Sequence, residues 1–126
     1  MIRMLHIENV ALIASLDIPL DEGLTAVTGE TGSGKSILVQ SLAMLLGEPA
    51  DQNTIRTDAQ VAVIEAECAP ADPIAITRTL QSLDIEPAPD HSLTLRREIN
   101  RKGRNRFLVN DHAVSRQDFL AITLPL

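Results

Sequence analysis

Leu24-Thr25-Ala26-Val27-Thr28-Gly29-Glu30-Thr31-Gly32-Ser33-Gly34-Lys35-Ser36 runs from a short β-prone segment straight into three glycines, a lysine and a serine. Gly29–Ser36 fits the pattern G-x-x-x-x-G-K-[ST] without a gap. Each fixed position has a chemical reason. Glycines let the backbone fold tightly enough for successive N–H groups to point into one hollow. At the positive end of a following helix, such a hollow suits an anion. Lys35 brings an ammonium to the β- and γ-phosphates as a point charge, and the Ser36 hydroxyl is a hard oxygen ligand for Mg²⁺. The candidate nucleotide-binding residues are Gly29, Glu30, Thr31, Gly32, Ser33, Gly34, Lys35 and Ser36, with ATP and Mg²⁺ as the ligands. Glu30 lies in the variable part of this Walker A motif, or P-loop, and reads as solvated rather than as a base. Chance alone gives such a match in roughly a few chains per thousand of this length, and the flanking strand and helix patterns weigh against a plain glycine turn.

Outward from the motif, residues 36–46 form an apolar-faced helix. Ile37, Leu38, Ser41, Leu42 and Leu45 share one side, Gly47 is a natural C-terminal cap, and Pro49 follows. Upstream, Arg3–Ile7 and Ala11–Leu20 read as two strands, with a turn signal at Asp21-Glu22-Gly23, and suggest an antiparallel hairpin. Downstream, Gln60–Cys68 reads as a strand. Asp72 is an N-cap with Pro73 in the first helical position, for a helix to about Leu83. Leu93–Ile99 and Arg106–Val109 read as strands joined by a longer hairpin loop containing Gly103. Asn110-Asp111 is a turn, and Ser115 caps a last helix from Arg116. The fold class is α/β: a mixed sheet with an antiparallel part and the P-loop helix packed against it.

Composition narrows the function classes. The chain has 126 residues, enough for one small domain, and a net charge of −6. Phe107 and Phe119 are its only aromatic residues. The core must be aliphatic, and base stacking on aromatic platforms is close to excluded. The acidic balance argues against nonspecific nucleic-acid binding by the surface as a whole. Cys68 is the single cysteine, so no disulfide framework or cysteine zinc site forms within one chain. No segment approaches the roughly 20 apolar residues of a membrane span, and the cytoplasm is the expected compartment. The apolar end Leu124-Pro125-Leu126 reads as the interior of something longer.

A wider set of segments carries a resemblance. His6-Ile7-Glu8-Asn9-Val10-Ala11-Leu12-Ile13, Glu22-Gly23-Leu24-Thr25 and Thr28–Ile37 resemble the N-terminal head of the RecN family of bacterial DNA repair proteins. So do Leu45-Leu46-Gly47, Ile55-Arg56-Thr57, Leu95-Arg96-Arg97-Glu98-Ile99 and Gly103-Arg104-Asn105-Arg106 leading to Val109-Asn110. The ordered set spans nearly the whole chain. That family resembles the SMC and Rad50 ATPases, whose ABC-type head is divided between the two ends of the chain and joined by a coiled coil. The resemblance implies that residues 1–126 are the incomplete N-terminal lobe of such a head, with coiled coil and C-terminal lobe absent. It implies an ATP-binding part in DNA double-strand break repair and recombination, in a bacterial, nucleoid-associated setting. It also implies DNA, a second head of the same protein and recombination factors as partners, and no membrane. The Q-loop glutamine, ABC signature, Walker B aspartate and switch histidine would come later. ATPase activity would belong to the full-length protein, and this segment alone is not expected to hydrolyse ATP. The alternatives are a lobe of another P-loop NTPase and a truncated, non-catalytic interaction module.

The resemblance extends the nucleotide-binding set to Ile37 and adds Arg56, which matches an arginine that comes near the nucleotide in SMC-like heads. An exposed loop arginine is the plain alternative. Asn9 lies where the family's first strand turns toward the nucleotide, and a turn role is equally open. Ser33 stands where the family usually has alanine, and Asp58 where it often has glycine. Six of the eleven basic residues fall between Arg96 and Arg106, with only Glu98 opposing them in that stretch. Arg101, Lys102, Arg104 and Arg106 crowd one loop, and either DNA or partner contact or a merely solvated hairpin accounts for them. His6 reads as a sheet residue and Cys68 as a small core residue.

Overall fold

The computed structural model describes residues 2–19, 32–50, 52–103 and 105–123, with backbone only for 32–38 and 52. The expected turn at Asp21–Gly23, the strand Leu24–Thr28, the loop residues Gly29–Thr31 and Arg104 lie outside the described residues. The elements are β1 (Ile2–Val10), β2 (Ile13–Pro19), α1 (Gly32–Leu45), a short 3₁₀ turn (Gln52–Thr54), β3 (Val61–Cys68), α2 (Pro73–Ser82), β4 (Leu93–Asn100), β5 (Asn105–Val109), β6 (His112–Val114) and α3 (Arg116–Thr123). The six strands form one sheet in the order β2-β1-β3-β4-β5-β6. Every pairing among the described residues is antiparallel. No helix among them is long and apolar enough to cross a membrane.

Period-two alternation builds the core. Rows of directly paired residues run across the sheet, and two of them face inward. One is Leu5–Ala66–Leu95–Val109, and the other is Ile7–Ile64–Arg97–Phe107–Val114. α1 lies against β1, β3 and β4, while α3 packs on β5 and α2. Phe107 and Phe119 meet with ring centroids 4.9 Å apart. The chain's two phenylalanine rings thus join the sheet to α3. The opposite, outer rows are mostly polar: Asp17–His6–Glu65–Arg96, which continues to the buried Leu108, and Ser15–Glu8–Val63–Glu98–Arg106, in which Val63 is buried.

Three local findings adjust the sequence reading. The first hairpin closes through the two residues Ala11 and Leu12, with Val10 paired to Ile13, so β2 begins two residues later than the apolar run suggested. Ala11 takes φ +52° there, and its N–H donates to Thr54 O at 2.7 Å. α1 begins at Gly32 rather than after Lys35, because first-turn N–H groups need no intrahelical acceptor and the cues for loop and helix start overlap. After the Asn110-Asp111 turn, both residues at positive φ, the chain returns as β6. Both expected N-caps are present: Asp72 Oδ1 accepts from Ala75 N at 3.1 Å, and Ser115 Oγ accepts from Asp118 N at 3.0 Å.

Candidate nucleotide site

The second half of the glycine motif is the first turn of α1. The N–H groups of a helix's first turn have no acceptor within the helix. In α1 these include the N–H groups of Gly32, Ser33 and Gly34. No acidic side chain of the helix's own first turn compensates that positive end. This backbone therefore fits an anion supplied from outside the helix. Farther along, Ser41 and Leu45 are buried and Leu42 is half-buried, as the expected face requires; Met44, outside that set, is buried as well, and Val39 is exposed. The side chains of Ile37 and Leu38, like those of Lys35 and Ser36, lie outside the described residues.

The far end of α1 is closed by several devices at once. Gly47 takes φ +110°. Its N–H donates to Met44 O, and the Glu48 N–H donates back to Ala43 O at 3.1 Å, the paired bonds of a Schellman ending. Arg97, on the inner face of β4 and only 3% exposed, donates from one nitrogen to Met44 O at 2.6 Å and Glu48 O at 2.5 Å. Arg116 from α3 donates to Gly47 O at 2.8 Å. The Arg97 guanidinium also lies 5.0 Å from the centroid of the Phe107 ring. Burial, and then the neighbouring Arg116, lower the Arg97 pKa from its ordinary value. Sequence reasoning placed Arg97 in the strand Leu93–Ile99 but counted it only as part of the basic run from Arg96 to Arg106. The alternation Leu93-Thr94-Leu95-Arg96-Arg97-Glu98-Ile99 could have placed it, since Arg97 is in phase with Leu93, Leu95 and Ile99.

A second feature forms around the end of β1. Ala11, Leu12, Asn53, Ile55, Arg56 and Thr57 line a cavity of about 330 Å³. Arg56 is half-buried at this wall, and its Nε pairs with Asp58 at 2.9 Å. The Arg56 N–H donates to Asn9 O at 2.8 Å, and Asn9, at φ +56°, donates its side-chain amide to Val61 O. Asn9 thus ties the end of β1 to Arg56 and to the start of β3. Asp58 forms its turn without a positive φ.

The basic run is spread over several tasks. Arg96 pairs with Glu98 and, across the sheet, with Glu65, each at 3.0 Å. Glu65 is a counter-charge that inspection of the run alone did not include. Arg106, largely exposed, pairs with Glu98 at 3.2 Å. Arg101 donates to Ala59 O and Arg56 O at 3.0 and 2.8 Å, tying the hairpin to the Arg56 turn. Lys102 is exposed.

The remaining titratable candidates have structural environments. Cys68 is buried, and burial pushes its thiol up to about 11, which leaves almost no thiolate at neutral pH. His6 lies in the outer row, with Nε2 2.8 Å from Glu8 and Nδ1 bonded to Asp17. The bond to Glu8, opposed by partial burial and reinforced by Asp17, raises its pKa above 6.5. Among the described residues no cluster of His, Cys, Asp and Glu is arranged to hold a metal ion.

A family model described as RecF/RecN/SMC N terminal domain matches residues 1–124. The chain belongs to that family. Two curated members are named DNA repair protein RecN. The one from Treponema pallidum (strain Nichols) is 38% identical over 94% of this chain and 21% of its own length. The one from Synechocystis sp. (strain ATCC 27184 / PCC 6803 / Kazusa) is 36% identical over 93% of this chain and 20% of its own length. The chain thus spans about a fifth of the length of these family members. A solved structure described as "Structural biochemistry of ATP-driven dimerization and DNA stimulated activation of SMC ATPases" superposes with a TM-score of 0.74 at 21% identity. It covers 98% of this chain and 78% of that one. The sheet and helices described above are the N-terminal portion of this head fold.

Proposed function

We propose that this family member is the ATP-binding N-terminal lobe of a RecN-like head that acts in DNA double-strand break repair and recombination. The observation that carries the reading is the uninterrupted motif Gly29–Ser36 running into α1, whose first-turn N–H groups have no acidic side chain of that turn beside them. In this reading the backbone of Gly29, Glu30, Thr31, Gly32, Ser33 and Gly34 cradles the phosphates. Lys35 neutralises the β- and γ-oxygens, Ser36 ligates Mg²⁺, Ile37 continues the binding segment into the helix, and Arg56 approaches from the turn beside β1. ATP with Mg²⁺ supplies the ligand charge that this cradle is suited to hold. The second head of the same protein, DNA and recombination factors act through the full-length molecule, in the bacterial cytoplasm at the nucleoid.

Phosphoryl transfer needs a positioned water and charge stabilisation beyond a P-loop. By the family resemblance, the groups that supply them lie in the other lobe or on the second head. Residues 1–126 alone are therefore expected to bind ATP·Mg²⁺ without turnover. Calorimetric titration combined with a phosphate-release assay checks both halves. Turnover that disappears in Lys35→Ala would instead favour a small, self-sufficient NTPase.

The β4–β5 hairpin is the proposed polyanion contact, through Arg101, Lys102, Arg104 and Arg106. Binding there should be weak, indifferent to sequence and strongly weakened by salt. In the full-length protein, replacing Lys102 and Arg106 by glutamine should reduce the slope of log affinity against log salt by about one to two. Fluorescence anisotropy on duplex and single-stranded DNA over a salt series reads this directly. An unchanged slope would assign the hairpin to solvent or to a protein partner.

A further inference from the structure

Arg97 stands in the centre of an apolar row, between Ile64 and Phe107 in the sheet register. It is almost fully buried, and its hydrogen bonds go to main-chain carbonyl oxygens. Among the described residues no carboxylate pairs with it and its Nε has no hydrogen-bond partner. Burying a cation this way is costly, and an apolar residue of similar volume is often no worse for stability alone. The cost is offset locally. The carbonyl end of a helix carries roughly half a negative charge, and the face of Phe107 adds a cation–π contact. One acceptor, Met44 O, is in the last turn of α1, the helix whose beginning is the glycine motif, and the other, Glu48 O, is in the turn that closes it. The last turn of α1 has no basic residue of its own, so its compensating charge comes from β4 and α3 through Arg97 and Arg116.

The mechanical difference between these bonds and the rest of the packing is direction. Met44 and Leu45 hold α1 to the sheet by apolar contact, which is non-directional and resists sliding or rotation weakly. Charge-assisted bonds, which have a preferred direction and here run from one guanidinium nitrogen to two carbonyl oxygens, do resist it. α1 has 14 residues, a stiff rod of about 20 Å. Its axial position at one end fixes the position of Gly32–Lys35 at the other.

We propose that Arg97, assisted by Arg116, is a positioning residue for the phosphate site: it sets where α1 lies along the sheet and hence where the first-turn N–H groups meet the phosphates. This rests on the reading of Gly29–Ser36 as a nucleotide site.

The test uses the complete polypeptide, with dissociation constants for ATP·Mg²⁺ and ADP·Mg²⁺ measured by calorimetry. Each variant is measured at a temperature where circular dichroism shows it fully folded, so that an effect on stability alone leaves affinity unmoved. Arg97→Met keeps volume and loses the donors, and it should weaken both nucleotides about tenfold. Arg97→Lys, which can still donate to the same carbonyls, should recover part of that loss. Arg116→Gln should weaken binding roughly threefold, and Arg78→Gln, the same charge change on an exposed position of α2, should leave it unchanged. Wild-type affinity in folded Arg97→Met overturns the proposal. If Arg97→Met does not fold, wild-type affinity in Arg116→Gln overturns it. Absence of nucleotide binding in the wild-type protein would instead overturn the nucleotide-site reading itself, whatever the variants do.

Discussion

Lys35→Ala is expected to remove measurable nucleotide binding while leaving the fold in place. The two halves of this expectation have separate causes. Lys35 lies within the first turn of α1, where alanine is the best helix former, so the helix loses nothing intrinsic. The phosphates lose a full positive charge in a site built from partial ones. A charge-assisted hydrogen bond is worth about 1.5–3 kcal/mol, and the ammonium reaches more than one phosphate oxygen. A loss of about 3 kcal/mol or more follows, at least roughly a hundredfold in affinity. Calorimetry with ATP and Mg²⁺, beside thermal unfolding followed by circular dichroism, measures both quantities. Equal affinity in the two proteins would end the assignment of Lys35. A lost affinity with a collapsed melting transition would show that the residue serves the fold.

The largest effect on stability is expected at Gly47. Its φ of +110° belongs to a region that side chains rarely adopt, at a cost of about 1–3 kcal/mol for any other residue. A methyl group added there would also meet Leu120 Cδ2 at 2.5 Å. Leu120 ends in a flexible side chain, so it can turn away, but it sits on α3, which Arg116 and Phe119 hold in place. Gly47→Ala should therefore cost about 2–4 kcal/mol in all, a large share of the roughly 5–15 kcal/mol that holds a domain folded. Urea unfolding should show the midpoint falling with little change in slope. A midpoint within error of the wild type would mean that the α1 ending can relax without its Schellman geometry.

These two residues also show what could be read without coordinates. Lys35 stands out as a candidate because the chemistry of phosphate binding fixes residue types at fixed spacing, while its side chain lies outside the described residues. Gly47 is legible because helix endings have their own signature. The strands from Arg3, Gln60, Leu93 and Arg106 were visible as alternation, within a residue or three of their ends. β6 was not, because His112-Ala113-Val114 is too short to show a period. The place of Arg97 was hidden by its neighbours: six cations within eleven positions look like one surface feature until strand phase separates them. The engagement of Arg101 with Ala59 O and Arg56 O had no signal at all. Its acceptors are main-chain groups more than forty positions away, and main-chain groups carry no mark in a sequence.

The strand order carries a consequence for how the molecule is made. β3, β4, β5 and β6 lie side by side in the order of synthesis, so each can join its predecessor as it emerges. β1 cannot. It has β2 on one side at once, but its other neighbour, β3, begins some fifty residues later. Closing that long segment costs more chain entropy than any hairpin in the sheet. At about 5–20 residues per second, the gap lasts roughly 3–10 s of translation. During that time the first hairpin presents an open backbone edge with Leu5 and Ile7 beside it, the kind of surface on which nascent chains associate. A holdase chaperone bound there would be displaced by β3 as the ribosome delivers it.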